Sequence, residues 1–100
     1  MDTTFHALTE PHRRKILKLV KDKELSAGEI SAQFDVTQPA ISQHLKILRE
    51  AGLLSVRRDG TRKLYHFRPE GLDQVRAYLE SFWNTSLAQL KAAAEAEDQS

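Results

Sequence analysis

The sequence contains no cysteine in its 100 residues. Disulfide bonds, cysteine-ligated zinc and thiol catalysis are therefore excluded, and the composition fits the reducing environment of the cytoplasm. Glycine is also scarce, at four residues, and the chain has no dinucleotide-binding, P-loop or nucleophile-elbow pattern. We therefore expect a protein that is not an enzyme and that has no cofactor.

Long apolar runs are missing as well, so we expect no segment to span a membrane. Residues 1–4 lack the basic lead and the apolar stretch of a signal peptide. A chain of this length is typical of one small domain. We expect a single cytoplasmic domain over residues 1–100.

The net charge of +1 conceals an uneven distribution. Residues 11–68 hold thirteen Lys and Arg against six Asp and Glu, whereas residues 69–100 hold two against six. This asymmetry indicates that the middle of the chain faces a polyanion, with solvated surface charge as the alternative.

Local signals over residues 26–51 predict a helix-turn-helix unit. Ser26 and Glu29 match a capping box that starts its first helix. Thr37 is the expected cap of the second helix, which has a proline in its first turn and is followed by a left-handed stop at Gly52.

Two helices are predicted ahead of this unit, near residues 4–8 and over residues 11–21, from a favourable first-turn proline and helical spacing of apolar residues. Arg13 falls on the apolar side of the second of these helices, where a buried cation must be paired. Our hypothesis is an ion pair with Glu29 or Glu50.

The chain after this unit predicts a β-hairpin over about residues 53–68, called the wing below, with a turn at Asp59-Gly60. Its register stays open, because a three-residue turn would place Val56 opposite Leu64 and a two-residue turn would not. A long helix is predicted over about residues 72–96. The expected fold class is mainly α with a small β-hairpin.

Helical spacing divides the helix over residues 38–50 into an apolar side and a polar side. Its amides, hydroxyl and cations suit the DNA major groove, where Gln pairs with adenine and Lys or Arg reads guanine. An ordinary solvated face would carry more Glu–Lys pairs. The expected DNA contacts from this helix and its cap are Thr37, Gln38, Pro39, Ser42, Gln43, Lys46 and Arg49.

Four cations surround the turn of the wing: Arg57, Arg58, Arg62 and Lys63. Clustered like charges contribute little to folding, whereas beside DNA they would lie against phosphates or in the minor groove. Charged hairpins also protect edge strands from aggregation. The helix-turn-helix directly upstream favours a wing that contacts DNA.

The four histidines show no metal-ligand spacing, because His6, His12 and His66 lie on different predicted elements. His44 lies on the apolar side of its helix and is expected to be a packed, hydrogen-bonded imidazole. We expect no metal site.

The predicted C-terminal helix carries an apolar stripe that the hairpin and the short helices are too small to cover. Large exposed apolar patches mark interfaces, and twofold pairing is the common solution. We expect a homodimer with Trp83 at or beside the interface. The expected interface residues are Phe5, Leu8, Leu79, Phe82, Trp83, Leu87 and Leu90.

Two stretches, residues 5–17 and residues 38–53, closely resemble the ArsR-type (SmtB/ArsR) bacterial repressors, above all in the string Gln-Pro-Ala-Ile-Ser-Gln-His-Leu at residues 38–45. The resemblance implies a winged helix-turn-helix fold. It also implies a homodimeric, sequence-specific DNA-binding transcriptional repressor, of which each protomer binds one half of an inverted-repeat operator of double-stranded DNA.

The departures from the family pattern concern metals. Metal-sensing members carry cysteines in the helix that matches residues 29–34, or histidine-containing pairs on the last helix, and this chain has neither. Phe82-Trp83, with the Leu-x-x-Leu-Lys-Ala continuation at residues 87–92, resembles the metal-independent, SdpR-like branch. The sequence names no small-molecule effector.

A winged-helix module that binds a protein partner is the alternative function. Its exposed helix would carry Leu, Phe or Trp anchors. The polar side of residues 38–50 has no such anchor, so DNA is the favoured partner.

Overall fold

The structure is a computed structural model that describes residues 1–83. Within that range, short helices and a small antiparallel sheet follow one another in the order that the sequence predicts, with one additional strand. The elements are α1 (Asp2–Leu8), α2 (Pro11–Leu19), β1 (Leu25–Ser26), α3 (Ala27–Ser31), α4 (Gln38–Glu50), β2 (Leu54–Asp59), β3 (Arg62–Phe67), a 3₁₀ turn (Pro69–Leu72) and α5 (Asp73–Ser81).

Side-chain caps start the helix-turn-helix unit as predicted. The Ser26 hydroxyl accepts from the backbone N–H of Glu29 at 3.2 Å, and the Glu29 carboxylate accepts from the N–H of Ser26 at 3.0 Å. The Thr37 hydroxyl accepts from the N–H of Ala40 at 3.3 Å. These bonds satisfy donors that a helix N-terminus otherwise leaves unpaired, so the starts of α3 and α4 are confirmed.

The helix α3 is shorter than the apolar spacing predicts. It ends at Ser31, and Phe34 packs from the following turn. The Lys15 ammonium lies 4.6 Å from the centre of the Phe34 ring, and the His12 ring meets that ring edge-on. The Phe34 ring is therefore held in place by contacts with α2, although Phe34 itself lies outside a helix.

The hairpin closes on a two-residue turn, because Asp59 pairs with Arg62 and Val56 pairs with Tyr65. Gly60 supplies the positive φ of 66° that such a turn needs. The open register is thus decided in favour of a two-residue turn, but the turn residues are Gly60 and Thr61, one position later than the predicted Asp59-Gly60. The strand β1, which the sequence analysis did not predict, pairs with β3, and the sheet order is β1-β3-β2.

One apolar cluster joins the helices to the sheet. It lies under α4 and is closed from the sides by α2, α3 and the base of the hairpin, so the polar side of α4 faces outward from a rigid support. Its largest fully buried side chains are Ile16, Val20, Ile30, Ile41, Leu48 and Leu53.

The end of α4 and the end of the wing meet at a tight backbone corner. Gly52 has a φ of 78°, and a Cβ placed on Gly71 would lie 2.3 Å from the carbonyl oxygen of Gly52. Arg68 closes the corner, with its guanidinium donating to the Gly52 carbonyl at 2.9 Å and its backbone N–H donating to Leu53 at 2.9 Å. The position of the wing relative to α4 is therefore set by backbone contacts.

The last described helix, α5, ends at Ser81. Phe82 and Trp83 form a turn in which their N–H groups donate to Leu79 and Glu80. The predicted continuation to residue 96, with Leu87 and Leu90, lies outside the described residues. In residues 1–83, no helix has the length and apolar character needed to cross a membrane.

Candidate nucleic-acid interface

The division of α4 into two sides is confirmed. Ile41, Leu45 and Leu48 are buried, and Ala40, His44 and Ile47 are partly buried. The exposed side chains of the helix are the seven on the predicted polar side: Gln38, Pro39, Ser42, Gln43, Lys46, Arg49 and Glu50.

The exposed side of α4 has hydrogen-bonding capacity that the described protein does not use. Apart from the backbone-capping hydroxyl of Thr37, its side chains make no hydrogen bond or ion pair with residues 1–83. Two amides, a hydroxyl and two cations near one another can donate and accept bonds at base edges. This surface is therefore available for an external polar ligand.

The four cations of the wing divide between the two faces of the hairpin, because successive side chains alternate along a strand. Arg58 and Lys63 are cross-strand neighbours on one face. Arg57 and Arg62 lie on the other face, with Leu64 opposite Arg57. All four are exposed.

Two of these cations are held by carboxylates from just before α3 and from its first turn. Arg57 donates from Nε to Oε2 of Glu24 at 2.6 Å, and Arg62 donates from Nη2 to Oε1 of Glu29 at 2.5 Å. Arg58 and Lys63 have no such partner among residues 1–83. The face with Arg58 and Lys63 therefore keeps its full positive charge.

The ion pairs also affect the acid–base properties of these groups. The hydrogen bond from Arg57 is the main cause that lowers the pKa of Glu24, and the same bond raises the pKa of Arg57. For Glu29, the backbone bond from Ser26 lowers the pKa first, and Arg62 lowers it further. Both carboxylates therefore stay charged at neutral pH.

Arg13 is buried beneath α4, with 6% of its surface exposed, but its predicted ion pair with Glu29 or Glu50 is wrong. Its guanidinium donates to the carbonyl of Ala7 at 2.7 Å and to that of His6 at 3.1 Å. The carbonyls at the end of a helix have no partner within the helix and accept such donors. Arg13 thus fastens the end of α1 to α2.

His44 is a packed, hydrogen-bonded imidazole, as predicted, and its Nδ1 lies 3.3 Å from Nη1 of Arg13. Burial lowers the pKa of His44, and the charge of Arg13 lowers it further. No group of three potential metal ligands occurs in the part of the chain that the structure describes.

A second surface, made by α1 and α5, is apolar and exposed. The Phe5 and Tyr78 rings meet edge-on at 5.6 Å, and the Tyr78 and Phe82 rings meet edge-on at 4.9 Å. Phe82 is 64% exposed, Trp83 49% and Leu79 39%. This aromatic surface, defined by Phe5, Tyr78, Leu79, Phe82 and Trp83, has no cover within residues 1–83.

Sequence reasoning missed three residues of these surfaces. Tyr78 stands four positions before Phe82, a helical spacing at which aromatic side chains meet. Glu24 and Glu29 are two of the six acidic residues in the net-basic stretch over residues 11–68. The capping-box assignment accounted for Glu29 alone, and only the fold shows that its carboxylate also faces Arg62.

Comparison with known proteins agrees with the geometry. Residues 10–56 match the family model for bacterial regulatory proteins of the arsR family. The HTH-type transcriptional regulator Rv2034 of Mycobacterium tuberculosis is 38% identical over 86 residues, which are 86% of this chain and 80% of that protein. The transcriptional repressor SdpR of Bacillus subtilis is 36% identical over 84 residues, which are 84% of this chain and 93% of that protein.

Solved structures show the same fold. A crystal structure of a possible transcriptional regulator for arsenical resistance superimposes with a TM-score of 0.72 at 38% identity, over 91% of this chain and 95% of that one. An ArsR-like transcriptional regulator from Rhodococcus sp. RHA1 superimposes with a TM-score of 0.77 at 28% identity, over 95% and 90% of the two chains. The predicted winged helix-turn-helix fold is confirmed.

Proposed function

The chain belongs to the ArsR family of bacterial regulatory proteins, and from this premise we propose that it acts as a homodimer on an inverted-repeat operator. It is a DNA-binding transcriptional repressor and not an enzyme. A protein that binds operator DNA works where that DNA is, so the same proposal implies a cytoplasmic location.

The observation that carries the proposal is the exposed polar side of α4, whose side chains have no partner within residues 1–83. The N-terminal part of a recognition helix contacts base edges in the major groove. Gln38, Ser42 and Gln43 occupy that part, and Lys46 and Arg49 follow on the same side of the helix. We assign the base contacts to the first four and backbone contacts to Thr37, Pro39 and Arg49.

The wing completes the contact with DNA. In this assignment Arg58 and Lys63 meet backbone phosphates, because both are exposed and neither has a partner in the described chain. Arg57 and Arg62 lie on the other face of the hairpin, and each would meet DNA only in competition with its carboxylate.

The aromatic surface supports the homodimer. Closed twofold pairing buries such a patch against its own copy, and Phe5, Leu8, Leu79, Phe82 and Trp83 lie on the elements that form it. Leu87 and Leu90 belong to the same proposed interface. In a twofold dimer the two recognition helices lie about 34 Å apart, one turn of the duplex, which requires an inverted repeat.

Selection from a random duplex library with the purified full-length protein tests this proposal. We expect enrichment of an inverted repeat whose half-sites are centred about one helical turn apart, and two chains per duplex by analytical ultracentrifugation. Lys46→Ala should weaken the enrichment. Arg76→Ala, which removes a cation paired with Asp73 on α5, should leave it unchanged. Recovery of no motif, or of one half-site bound by a single chain, would contradict the proposal.

A further inference from the structure

Two ion pairs connect the wing to the entrance of α3 across a sequence separation of 33 residues each. They join Arg57 to Glu24 and Arg62 to Glu29. The Arg62 partner is itself fixed, because Oε1 of Glu29 also accepts the backbone N–H of Ser26 in the capping box. Arg62 is therefore tied to the rigid start of a helix.

These contacts are poorly suited to a role in stability. Their side chains are between 33% and 58% exposed, and exposed ion pairs contribute little to the free energy of unfolding. The backbone corner at Gly52 and Gly71 already positions the wing. Their larger effect is on charge, since they neutralise two of the four cations on the wing.

The neutralised cations share one face of the hairpin, and Arg58 and Lys63 share the other. The affinity for nonspecific DNA increases with the number of phosphates that the cations of the protein contact, and such contacts can form in any orientation of the protein. Affinity for the operator requires one orientation, with α4 in the major groove. Keeping the cations on one face of the wing away from phosphates therefore reduces the affinity for random DNA more than the affinity for the operator.

We propose that Glu24 and Glu29 determine DNA specificity by keeping Arg57 and Arg62 away from phosphates. The inference rests on the proposed function, because it requires a protein that binds DNA through α4 and the wing. Glu24 and Glu29 act here as positioning residues, through the two arginines and without touching DNA.

The test is the double variant Glu24→Gln/Glu29→Gln, measured on operator and on random duplex DNA between 0.1 and 0.5 M salt, roughly the range where such slopes are resolved. Glutamine at residue 29 keeps the capping-box acceptor and removes only the charge. Each released arginine that reaches a phosphate should steepen the slope of log K against log salt by about 0.9 on random DNA. Affinity for random DNA at 0.1 M salt should rise by roughly eightfold per contact, and the ratio of operator to random affinity should fall.

The matched control is Asp2→Asn/Glu70→Gln, which removes two exposed carboxylates that form no ion pair among residues 1–83 and changes the net charge equally. Its affinity for random DNA and its salt slope should equal those of the native protein. A second pair of variants probes the arginines directly. Arg57→Gln/Arg62→Gln should leave random affinity nearly unchanged, whereas Arg58→Gln/Lys63→Gln should reduce it and flatten the slope.

The outcomes separate the inference from the proposed function. A native protein that prefers its operator, with a Glu24→Gln/Glu29→Gln variant of unchanged slope and specificity ratio, would overturn the inference alone. Equal gains on operator and random DNA would also overturn it, because they reflect net charge only. A native protein that binds no DNA would remove the proposed function and the inference together.

Discussion

Arg13 on α2 and His44 on α4 meet across 31 positions of sequence, with Nη1 of the guanidinium 3.3 Å from Nδ1 of the imidazole. Arginine has only donors, so Nδ1 of His44 must be the acceptor and carry no proton. The same guanidinium holds the last carbonyls of α1. One buried side chain thus connects the helix of the aromatic surface to the helix that faces DNA.

This contact predicts a pH dependence of folding. Burial and Arg13 lower the pKa of His44 below its ordinary value of 6.5, with a smaller opposing effect from Glu10 and a further lowering by His12. The unfolded chain therefore binds the proton more readily, and the free energy of unfolding should fall as the pH drops below about 6.5. Above about pH 6.5 the imidazole of His44 is neutral in both the folded and the unfolded chain, so this loss of stability is absent.

Urea unfolding at several pH values between 5 and 8 measures this effect, a range chosen to lie roughly around the ordinary histidine pKa. His44→Gln, which keeps a hydrogen-bond acceptor but does not titrate, should flatten the curve between pH 5 and 7. The lowered pKa values of Glu10, Glu24 and Glu29 contribute only at lower pH, where carboxylates protonate. An unchanged pH dependence in His44→Gln would show that another group is responsible.

Alanine substitutions are predicted to have opposite effects at Gly71, in the corner between α4 and the wing, and at Gly28, in α3. Alanine at residue 71 would place its Cβ 2.3 Å from the Gly52 carbonyl oxygen, and backbone on both sides leaves little room to move. We expect Gly71→Ala to destabilise the fold by about 1–3 kcal/mol. Gly28→Ala meets nothing closer than Ser26 Oγ at 3.9 Å and lies in α3, so it should stabilise by about 0.5–1 kcal/mol.

Thermal and urea unfolding of both variants checks this pair. Equal stability of Gly71→Ala and the native protein would mean that the corner opens readily. The position of the wing would then depend on its ion pairs more than this structure indicates.

The elements that the sequence predicted well have local causes. Thr37, Pro39 and Gly52 define α4 through contacts within a few residues, so its limits and its two sides follow from the sequence. The hairpin also follows from local sequence signals, although its register does not. These elements include the candidate DNA contacts, which is why a candidate interface could be proposed from the sequence alone.

The features that could not be predicted depend on the tertiary fold. The two-residue strand β1 has no pattern of its own and exists because β3 lies beside it. The partner of Arg13 was assigned by opposite charge, but the nearest acceptors are carbonyls at the end of α1. The carboxylates that hold the wing are 33 residues from their arginines, and no spacing rule reaches that far.

Metal ions should have no effect on DNA binding. The chain has no cysteine, and no group of three potential metal ligands occurs among residues 1–83, so soft and borderline ions lack a multidentate site there. Operator affinity should be the same with and without stoichiometric zinc, nickel or arsenite in a fluorescence anisotropy titration. A tenfold loss of affinity that a chelator reverses would contradict this and point to His6 or His12 from facing subunits.

The aromatic surface predicts the effect of a charge on assembly. Phe82→Glu places a carboxylate beside Tyr78 in the patch that we propose to be buried between subunits. A central aromatic contact contributes about 2 kcal/mol or more to an interface, so the dimer dissociation constant should rise by roughly thirtyfold. Gln33→Glu, exposed in the turn after α3, is the control and should leave it unchanged. Sedimentation velocity decides, and a native protein that is monomeric at micromolar concentration would contradict the dimer.

The different contacts that we assign to α4 and to the wing predict two different effects of mutation on DNA affinity. Gln43→Ala should cost about 1–3 kcal/mol on the operator and relax one base position in each half-site, with little change on random DNA. Lys63→Ala should weaken operator and random DNA alike and make the salt slope shallower by about 0.9, because it removes a phosphate contact. Anisotropy titrations on both duplexes give the ratio of operator to random-DNA affinity for each variant, and this ratio distinguishes the two roles. If Lys63→Ala abolished the preference for the operator and Gln43→Ala preserved it, the wing would read the sequence and α4 would only position it.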